Sequence, residues 1–444
     1  MFLKRLFIFT FALLLPLETA PAEAQGQKNL SFPLSHYELK NGMQVILSED
    51  YSLPLVSVVV AYNVGSLNEQ QGKTGLAYLL ENLMFQGSQN VSQMQHISYI
   101  NRIGGIPNAD TKEDRTLFYQ TVPSNQLALV LWLESDRMKS LDINPSNLEQ
   151  AKEALIGEIQ QRKANEPYLE SFFVFDQFLF SDFAYSHPLI GSEEDIRNIT
   201  VEDVKDFYST FYVPNNAVLC IAGNMNKIKA KELLAKYFET ILKGKDLPPL
   251  PPSKLPEKKE VIETLKDSLV PSPAFHLGYR IASSRSNDFY ALTVLDYILL
   301  RSKSSRLYKR LIKKERLAYH LSGGIEKRKE LATFKIFAIN NNEAMVDLCQ
   351  KAIFSEINKL KSSFIPEEEL EKSKNLFKMD YLRRFATSLD RAIFLTETFL
   401  SQKNFENFPS ELDRYLKVTP SEIVGIVNRY FTRENSVLLN IKMK

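Results

Sequence analysis

Cysteine, histidine and tryptophan are scarce in this chain of 444 residues, which contains two Cys, five His and one Trp. Cys220 and Cys349 are too few for a disulfide framework, and they lie in apolar stretches in different halves of the chain. We therefore expect two buried free thiols and no cysteine-based metal site. No histidine lies three or four residues from another, so the sequence lacks the helical histidine pair that commonly binds zinc.

The chain also lacks an excess of charge and, beyond its N-terminus, any long hydrophobic run. Its formal net charge of +2 argues against a nucleic-acid partner held by phosphate neutralisation. Without an apolar run of spanning length, no membrane span is expected once the N-terminal segment is removed. The composition, 44% hydrophobic and 24% charged, is that of a globular protein, and the length predicts two or more domains.

The N-terminal segment has the pattern of a signal peptide. Lys4 and Arg5 precede an apolar run at 6–15, and Ala22-Glu-Ala24 is a small-x-small cleavage site. The run is too short to span a bilayer. We predict that residues 1–24 are removed and that the protein is exported, to the periplasm if the source is Gram-negative.

A proline-dense segment at 243–257 predicts an extended linker between two halves, 30–242 and 258–444. Residues 200–219 align without gaps on residues 419–438, at an offset of 219 residues. Both copies begin with a Thr N-cap signal, continue as an amphipathic helix, turn at an Asn and end as a strand. The repeat predicts two homologous domains in tandem.

Within the first half, strand and helix patterns alternate. Lys40-Asn-Gly42 indicates a two-residue hairpin turn, and Leu55–Tyr62 and Thr116–Val122 read as strands. Helical periodicity marks Gln126–Met138 and Asn147–Lys163. The predicted fold class is α+β, each domain a sheet covered by helices.

The most informative stretch runs from Gly75 to Ser88. Tyr78, Glu81 and Asn82 fall together on one face of a predicted helix. In the zinc-peptidase helix H-x-x-E-H, the corresponding places hold two zinc-binding His and a Glu that acts as general base. Here Glu81 fills the base position, and both imidazoles are absent. The other face is an apolar stripe formed by Leu76, Leu79, Leu80, Leu83 and Met84.

A second carboxylate, Glu158, falls on the apolar stripe of the helix predicted over 147–163. Burial of a carboxylate is costly unless a metal or hydrogen bonds compensate for the lost water. Two interpretations remain open at this point: Glu158 faces such a partner, or it lies at the edge of the stripe and reaches water.

These motifs resemble the pitrilysin/insulinase family of zinc metallopeptidases. The family's zinc helix, G-x-A-H-x-x-E-H-x-x-F-x-G-[TS], is matched from Gly75 to Ser88 except at the two His. Its third zinc ligand, a Glu 76 residues after the second His, corresponds to Glu158. Further family segments are matched at Gly104–Thr111 with Thr116–Tyr119, at Phe183–Pro188 with Gly191, and at Ser305–Leu307 with Leu317–Tyr319.

The resemblance implies a substrate groove. In the family an edge strand pairs with extended substrate, which implies substrate-binding roles for Gly104, Gly105, Asn108, Ala109, Thr111 and Tyr319. The family's substrate-binding Arg, seven residues before its Tyr, is replaced here by Ile312, and a Glu seven residues before the zinc-binding Glu is replaced by Ala151. Arg310 and Arg316 are near Ile312 in sequence but are expected to point elsewhere.

We therefore expect an exported, non-catalytic member of this type that serves as a peptide-binding or partner subunit of a zinc peptidase assembly. Glu81 is expected to be idle, and no metal is expected at Tyr78, Asn82 and Glu158. Instead, Tyr78 or Asn82 should donate a hydrogen bond to Glu158.

The expected partners are extended peptides and a family paralogue in a homo- or hetero-oligomer, because the resemblance implies that two short bacterial chains enclose the substrate chamber. Two alternatives remain open. One is an active zinc endopeptidase with substitute ligands such as Tyr78, in which case zinc is the cofactor; otherwise none is expected. The other is a structural scaffold subunit, as family-like chains are in a respiratory complex.

Overall fold

A computed structural model describes the chain at residues 32–180, 182–249, 259–329, 331–362, 365–405 and 408–444. The predicted signal peptide at 1–24 lies outside these ranges, and so do residues 250–257 of the predicted linker. In the described ranges, no helix combines the length and the apolar character needed to cross a membrane.

The first half of the chain builds a six-stranded sheet in the order β1-β2-β6-β3-β5-β4. Its strands are β1 (Ser35–Glu38), β2 (Gln44–Glu49), β3 (Leu55–Tyr62), β4 (Ile106–Thr111), β5 (Thr116–Pro123) and β6 (Ala217–Gly223). Its helices are α1 (Leu76–Leu83), α2 (Gln95–Arg102), α3 (Leu127–Lys139), α4 (Pro145–Asn165), α5 (Leu169–Leu179), α6 (Phe183–Ser186), α7 (Glu193–Asn198), α8 (Val201–Phe211) and α9 (Lys227–Phe238).

The second half builds a five-stranded sheet in the order β7-β11-β8-β10-β9. Its strands are β7 (Val261–Asp267), β8 (Ala274–Ile281), β9 (Ala318–Lys327), β10 (Ala332–Asn340) and β11 (Ser436–Met443). Its helices are α10 (Asp288–Leu299), a π-helix (Tyr308–Lys314), α11 (Glu343–Ser362), α12 (Glu367–Arg383), α13 (Ser388–Gln402), α14 (Phe408–Leu416) and α15 (Pro420–Tyr430). The predicted α+β fold class is confirmed.

The two sheets share one topology, since β2, β6, β3, β5 and β4 have the same order as β7, β11, β8, β10 and β9. The predicted repeat is also confirmed in detail. Thr200 and Thr419 each close a capping box at the start of α8 and α15. The amide of Asn216 donates to the Phe211 carbonyl at 2.8 Å, and Asn435 repeats this bond to Tyr430 at 2.6 Å.

One helix from each half packs on the sheet of the other half. The apolar residues Ala392, Leu395 and Phe399 of α13 cover the first sheet on the face that carries Cys220. In the reverse direction, α5 packs on β8 and β11 of the second sheet. The fit is close: a Cβ added to Gly278 on β8 would lie 2.7 Å from the ring of Phe175 on α5.

Most sequence-predicted elements are confirmed to within two residues. The strand at Leu55–Tyr62 has the predicted bounds, and both cysteines are buried free thiols. The hairpin at Lys40-Asn-Gly42 forms, but the prediction of a two-residue turn is wrong. The ladder between β1 and β2 ends at Glu38 and Gln44, so the connection contains residues 39–43, with Gly42 at φ 87°.

Candidate functional site

Helix α1 begins at a close contact between two glycines. Gly75 has φ 87°, and a Cβ there would lie 2.6 Å from the carbonyl oxygen of Ile190. Gly191 has φ 79°, and a Cβ there would lie 2.4 Å from the carbonyl oxygen of Thr74. Glycine is needed at both positions because their backbones touch. This contact physically joins two of the motifs found in the sequence.

A buried carboxylate, which the motifs do not indicate, holds the first turn of α1. Glu69 accepts hydrogen bonds from the backbone N–H of Gly75 at 2.9 Å and of Ala77 at 2.8 Å. Burial, together with the nearby Asp195 carboxylate, raises the pKa of Glu69 to about 8, although the two N–H donors oppose the rise. The imidazole of His187, also buried, lies 3.7 Å from the carboxylate.

The apolar stripe of α1 packs into the first core, the large buried apolar cluster of the first half of the chain. This leaves Tyr78, Glu81 and Asn82 on the opposite side. The Tyr78 hydroxyl donates to Glu158 Oε1 at 3.3 Å, so the predicted hydrogen bond between these residues is confirmed. Asn82 does not take part, because its Nδ2 donates to the carbonyl of Tyr78 at 3.2 Å. Burial and the carboxylates of Glu158 and Glu81 raise the pKa of Tyr78 to about 12.

Glu158 itself lies at the edge of the apolar stripe of α4, with 39% of its side chain exposed, and Arg162 Nη1 is 3.9 Å from its Oε1. Each of the two interpretations left open by the sequence is therefore partly correct. Glu158 lies at the edge of the stripe, and it also accepts a hydrogen bond from Tyr78. Arg162 is a residue that the motifs do not indicate, although its i,i+4 spacing from Glu158 is a readable signal.

Glu81 is bonded to the edge strand rather than to Tyr78 or Glu158. Its carboxylate accepts a hydrogen bond from the hydroxyl of Thr111 on β4. Burial raises the pKa of Glu81, while the hydroxyl and the backbone N–H of Thr111 lower it. Thr111, assigned from the resemblance to substrate binding, is buried and bonded to Glu81.

The donors at this site do not fit a tetrahedral zinc ion. Zinc in proteins takes thiolate, neutral imidazole or carboxylate ligands. Tyr78 is a neutral phenol whose raised pKa opposes ionisation, and Asn82 points its amide at the helix backbone. Glu158 is therefore the single conventional ligand at the three family positions. Across the described residues, no group of three or more His, Cys, Asp or Glu side chains is placed to hold a metal ion.

The strand implied to bind substrate lies at the edge of the first sheet. β4 pairs with β5 on one side, and no strand in the described part of the chain pairs with its other side. Asn108 is exposed and Ala109 is half-buried on this strand. Gly104, with φ 78°, and Gly105 form the turn that leads into it from α2.

The predicted substrate-binding residue of the second half, Tyr319, lies on the edge strand β9 and is 51% exposed. A β-bulge between Ile339 and Asn340 of β10 interrupts the pairing beside it. Ile312 packs against the second core, the large buried apolar cluster of the second half of the chain. Arg310 cannot replace the missing cation because its guanidinium bonds Glu315 at 2.7 Å and Glu356 at 2.8 Å.

The remaining histidines have structural surroundings. His276 is buried and stacks between Phe175 and Phe337, with ring centroids 4.8 and 4.5 Å away. His96 is buried beside Gln120, at 3.2 Å. His36 bonds Gln44 on the surface, and His320 bonds Ser322.

Two family models match the sequence. The model described as Insulinase (Peptidase family M16) matches residues 44–179, and the model described as Peptidase M16 inactive domain matches residues 198–377.

Individual proteins match over most of the chain. The zinc protease PqqE of Helicobacter pylori is 30% identical over 415 residues, which is 91% of this chain and 91% of that protein. The mitochondrial-processing peptidase subunit beta of Bos taurus is 28% identical over 239 residues, covering 52% of this chain and 48% of that protein.

Solved structures agree with the fold. A protease from Helicobacter pylori, 28% identical, has a TM-score of 0.87 and covers 93% of this chain and 100% of its own. A peptidase M16 inactive domain from Pseudomonas fluorescens has a TM-score of 0.81 over 93% of this chain and 98% of its own; at 17% identity it shows the fold alone. These matches confirm both the resemblance and the predicted two-domain fold type.

Proposed function

The chain belongs to the insulinase family, peptidase family M16, and we propose that it serves as an exported, non-catalytic subunit that binds extended peptides or a family partner. The observation that carries this proposal is the hydrogen bond from Tyr78 to Glu158, which takes the place of the family's metal-binding contacts. The loss of the family's cationic residue at Ile312 supports it independently, since a substrate carbonyl has no positive partner there.

Zinc content tests the non-catalytic role. We expect the mature protein to retain far less than one zinc per chain after dialysis and to show no phenanthroline-sensitive cleavage of unstructured peptides. The alternative, an active zinc endopeptidase, draws on relatives that carry the name zinc protease. One zinc per chain together with chelator-sensitive cleavage would establish that alternative.

Peptide binding is supported by the free edge of β4, because strand addition draws its affinity from main-chain hydrogen bonds and needs no metal. The test is the affinity of the mature chain for unstructured peptides and for a co-expressed paralogue with an intact H-x-x-E-H motif. Ala109→Pro should weaken peptide binding and leave the ladder to β5 in place, because it removes an edge N–H that now donates to Asn108 Oδ1 at 2.9 Å and that an added strand would take over. Absence of binding to both peptides and paralogue would favour a scaffold role.

Export rests on the sequence of residues 1–24. Fractionation of cells that express the full chain, compared with a chain lacking residues 2–24, tests it. Equal retention of both forms in the cytoplasm would contradict export.

A further inference from the structure

The small net charge of the chain conceals a strong separation of charge between its two halves. Residues 30–242 contain 16 Lys and Arg and 26 Asp and Glu, which gives a formal charge of −10. Residues 258–444 contain 33 Lys and Arg and 23 Asp and Glu, which gives a formal charge of +10. Opposite charges on the two halves of one molecule favour association with a partner that presents the reverse arrangement.

Most of the positive charge lies in one segment. Residues 301–316, which we call the basic segment, connect α10 to β9 and contain eight Lys and Arg and a single acidic residue. Three of these cations are ion-paired to carboxylates of the second half, namely Arg301, Arg306 and Arg310. The other five are exposed, and no carboxylate in the described ranges pairs with them: Lys303, Lys309, Lys313, Lys314 and Arg316.

Most of the negative charge lies between the start of α4 and the end of α8. Residues 145–211 contain 13 Asp and Glu and five Lys and Arg. Helix α4 packs on α7, and α7 leads directly into α8, so these three helices are neighbours, and we call them the acidic helices. They carry exposed carboxylates that have no ion pair among the described residues: Glu153 on α4, Glu194 on α7, and Glu202 and Asp206 on α8.

The two charged surfaces do not neutralise each other within one chain. The π-helix of the basic segment packs on β9 and α11, and the Ser304 carbonyl accepts from Lys372 Nζ of α12 at 3.1 Å, so these contacts stay in the second half. In the described ranges, no ion pair or hydrogen bond joins the basic segment to the acidic helices. Ion pairs between the halves use other residues, as in the pair of Arg391 with Asp50. Both surfaces are therefore available to another molecule.

We propose that the basic segment binds the acidic helices of a second copy of this chain. Because each copy carries both surfaces, a two-fold axis forms the same contact twice and closes the assembly as a dimer. An anionic lipid surface or a nucleic acid would match the basic segment, but the acidic helices and the rest of the first half would repel it. The inference rests on the partner-binding part of the proposed function and names the partner and the surfaces that meet.

The test measures self-association of the mature protein by sedimentation velocity. We expect a species of two chains whose dissociation constant rises at least about tenfold between about 50 mM and about 500 mM NaCl, because salt screens exposed charges. Two double variants reverse the charge of one surface each. The segment variant is Lys313→Glu with Lys314→Glu, and the helix variant is Glu153→Lys with Glu194→Lys. Each should weaken its own dimer at least about tenfold, since like charges then face each other at both contacts.

A mixture of the two variants gives the decisive comparison. In a mixed pair the reversed segment meets the reversed helices, and the unmodified segment meets the unmodified helices, so both contacts are attractive again. The mixture should dimerise about as tightly as the unmodified protein, which also shows that both variants are folded. As a matched control, Lys266→Glu with Lys417→Glu reverses two exposed cations outside the basic segment and should change the dissociation constant by less than about twofold.

Three results would overturn the proposal: a chain that stays single at low salt, an association that does not depend on salt, or a mixture that associates no more tightly than either variant alone. Binding of single chains to vesicles of anionic phospholipid, lost in the segment variant, would assign the basic segment to a lipid surface instead. The peptide and zinc measurements described above are independent of these results. If the dimer is absent but peptides bind, the peptide-binding role stands; if the dimer forms but no peptide binds, that role fails.

Discussion

At the scale of single residues, Tyr78 stands where the family has a zinc-binding His, and it bonds the glutamate at the family's third ligand position. A phenol is already protonated at neutral pH, and burial and the neighbouring carboxylates raise the pKa of Tyr78 further, to about 12, so its hydroxyl is a stable donor to Glu158. Arg162, 3.9 Å from the same carboxylate, supplies positive charge. Glu158 is thus compensated by a donor and a cation, which is the requirement for a half-buried charge that has no metal.

Restoring the two histidines should restore the metal. The double variant Tyr78→His, Asn82→His places two imidazoles on the face of α1 that meets Glu158 of α4. We therefore expect about one zinc per chain, measured by metal analysis after dialysis. Cleavage of peptides should stay poor, because Ile312 still leaves the substrate carbonyl without a cationic partner.

The control for this restoration is the same double variant with Glu158→Gln, which should bind zinc much more weakly. A double variant that takes up no zinc although it remains folded would mean that α1 and α4 do not hold the three ligands in register.

Glu69 should make stability depend on pH. Because burial raises its pKa in the folded chain from 4.5 to about 8, the folded chain retains a proton that the unfolded chain has released. Its contribution to stability therefore falls as the pH rises from 4.5 and is lost above about 8. Between pH 7 and pH 9 the melting temperature of the unmodified protein should fall more steeply than that of Glu69→Gln.

The pH window is chosen to isolate Glu69 from its neighbour. Burial lowers the pKa of His187, 3.7 Å away, below its usual 6.5, so that imidazole is neutral throughout the window. Equal slopes for the two proteins between pH 7 and pH 9 would show that Glu69 is already ionised at pH 7.

The residues of the site differ in how far the sequence alone predicts them. A bond from Tyr78 or Asn82 to Glu158 could be predicted because helix register places the first two on one face and the family resemblance implies that Glu158 lies opposite them. The role of Glu69 could not be predicted, since a lone carboxylate in a polar stretch carries no sign that the fold buries it against backbone N–H groups. Thr111 was predicted at the site, but its bond to Glu81 depends on how α1 meets β4.

At the scale of elements, the exchanged helices α5 and α13 are the least predictable feature of the fold. Their starts, Leu169 and Ser388, are separated by the 219 residues of the repeat, so duplication preserved them as a pair. Each helix reads in sequence as an ordinary amphipathic segment of its own half. Which sheet it covers depends on contacts remote in sequence, and periodicity contains no information about those.

Because α13 packs on the first sheet, a substitution in α13 should weaken strands that are distant from it in sequence. Leu395 is buried against that sheet, so Leu395→Ala should lower the free energy of unfolding by about 2–5 kcal/mol. The amides of β3 and β6, in the other half of the sequence, should then exchange faster with solvent, as measured by mass spectrometry.

The matched control for this substitution is Leu348→Ala on α11, where the side chain is 49% exposed and the change should be within about 0.5 kcal/mol. Faster exchange confined to the second half in Leu395→Ala would contradict the helix exchange.

At the scale of the whole molecule, the exchange ties the two halves into one folding unit. Residues 32–444 cluster as a single compact unit although they contain two sheets and two separate apolar cores. Ion pairs reinforce the connection: Arg391 binds Asp50 at 2.6 Å, and Arg328 binds Glu113 at 2.9 Å. Neither sheet can keep both faces covered if the other half unfolds, so unfolding of one half exposes apolar surface on the other.

The single tryptophan makes this coupling measurable. Trp132 on α3 packs against the first core and reports on the first half alone, whereas far-ultraviolet circular dichroism reports on both halves. Ile353→Ala removes buried volume from the second core and should lower stability by about 2–5 kcal/mol. If the halves unfold together, urea denaturation followed by either signal should give the same midpoint, and Ile353→Ala should shift both midpoints equally. If Ile353→Ala leaves the midpoint of the Trp132 signal unchanged while the dichroism curve splits into two steps, the halves fold independently despite the exchanged helices.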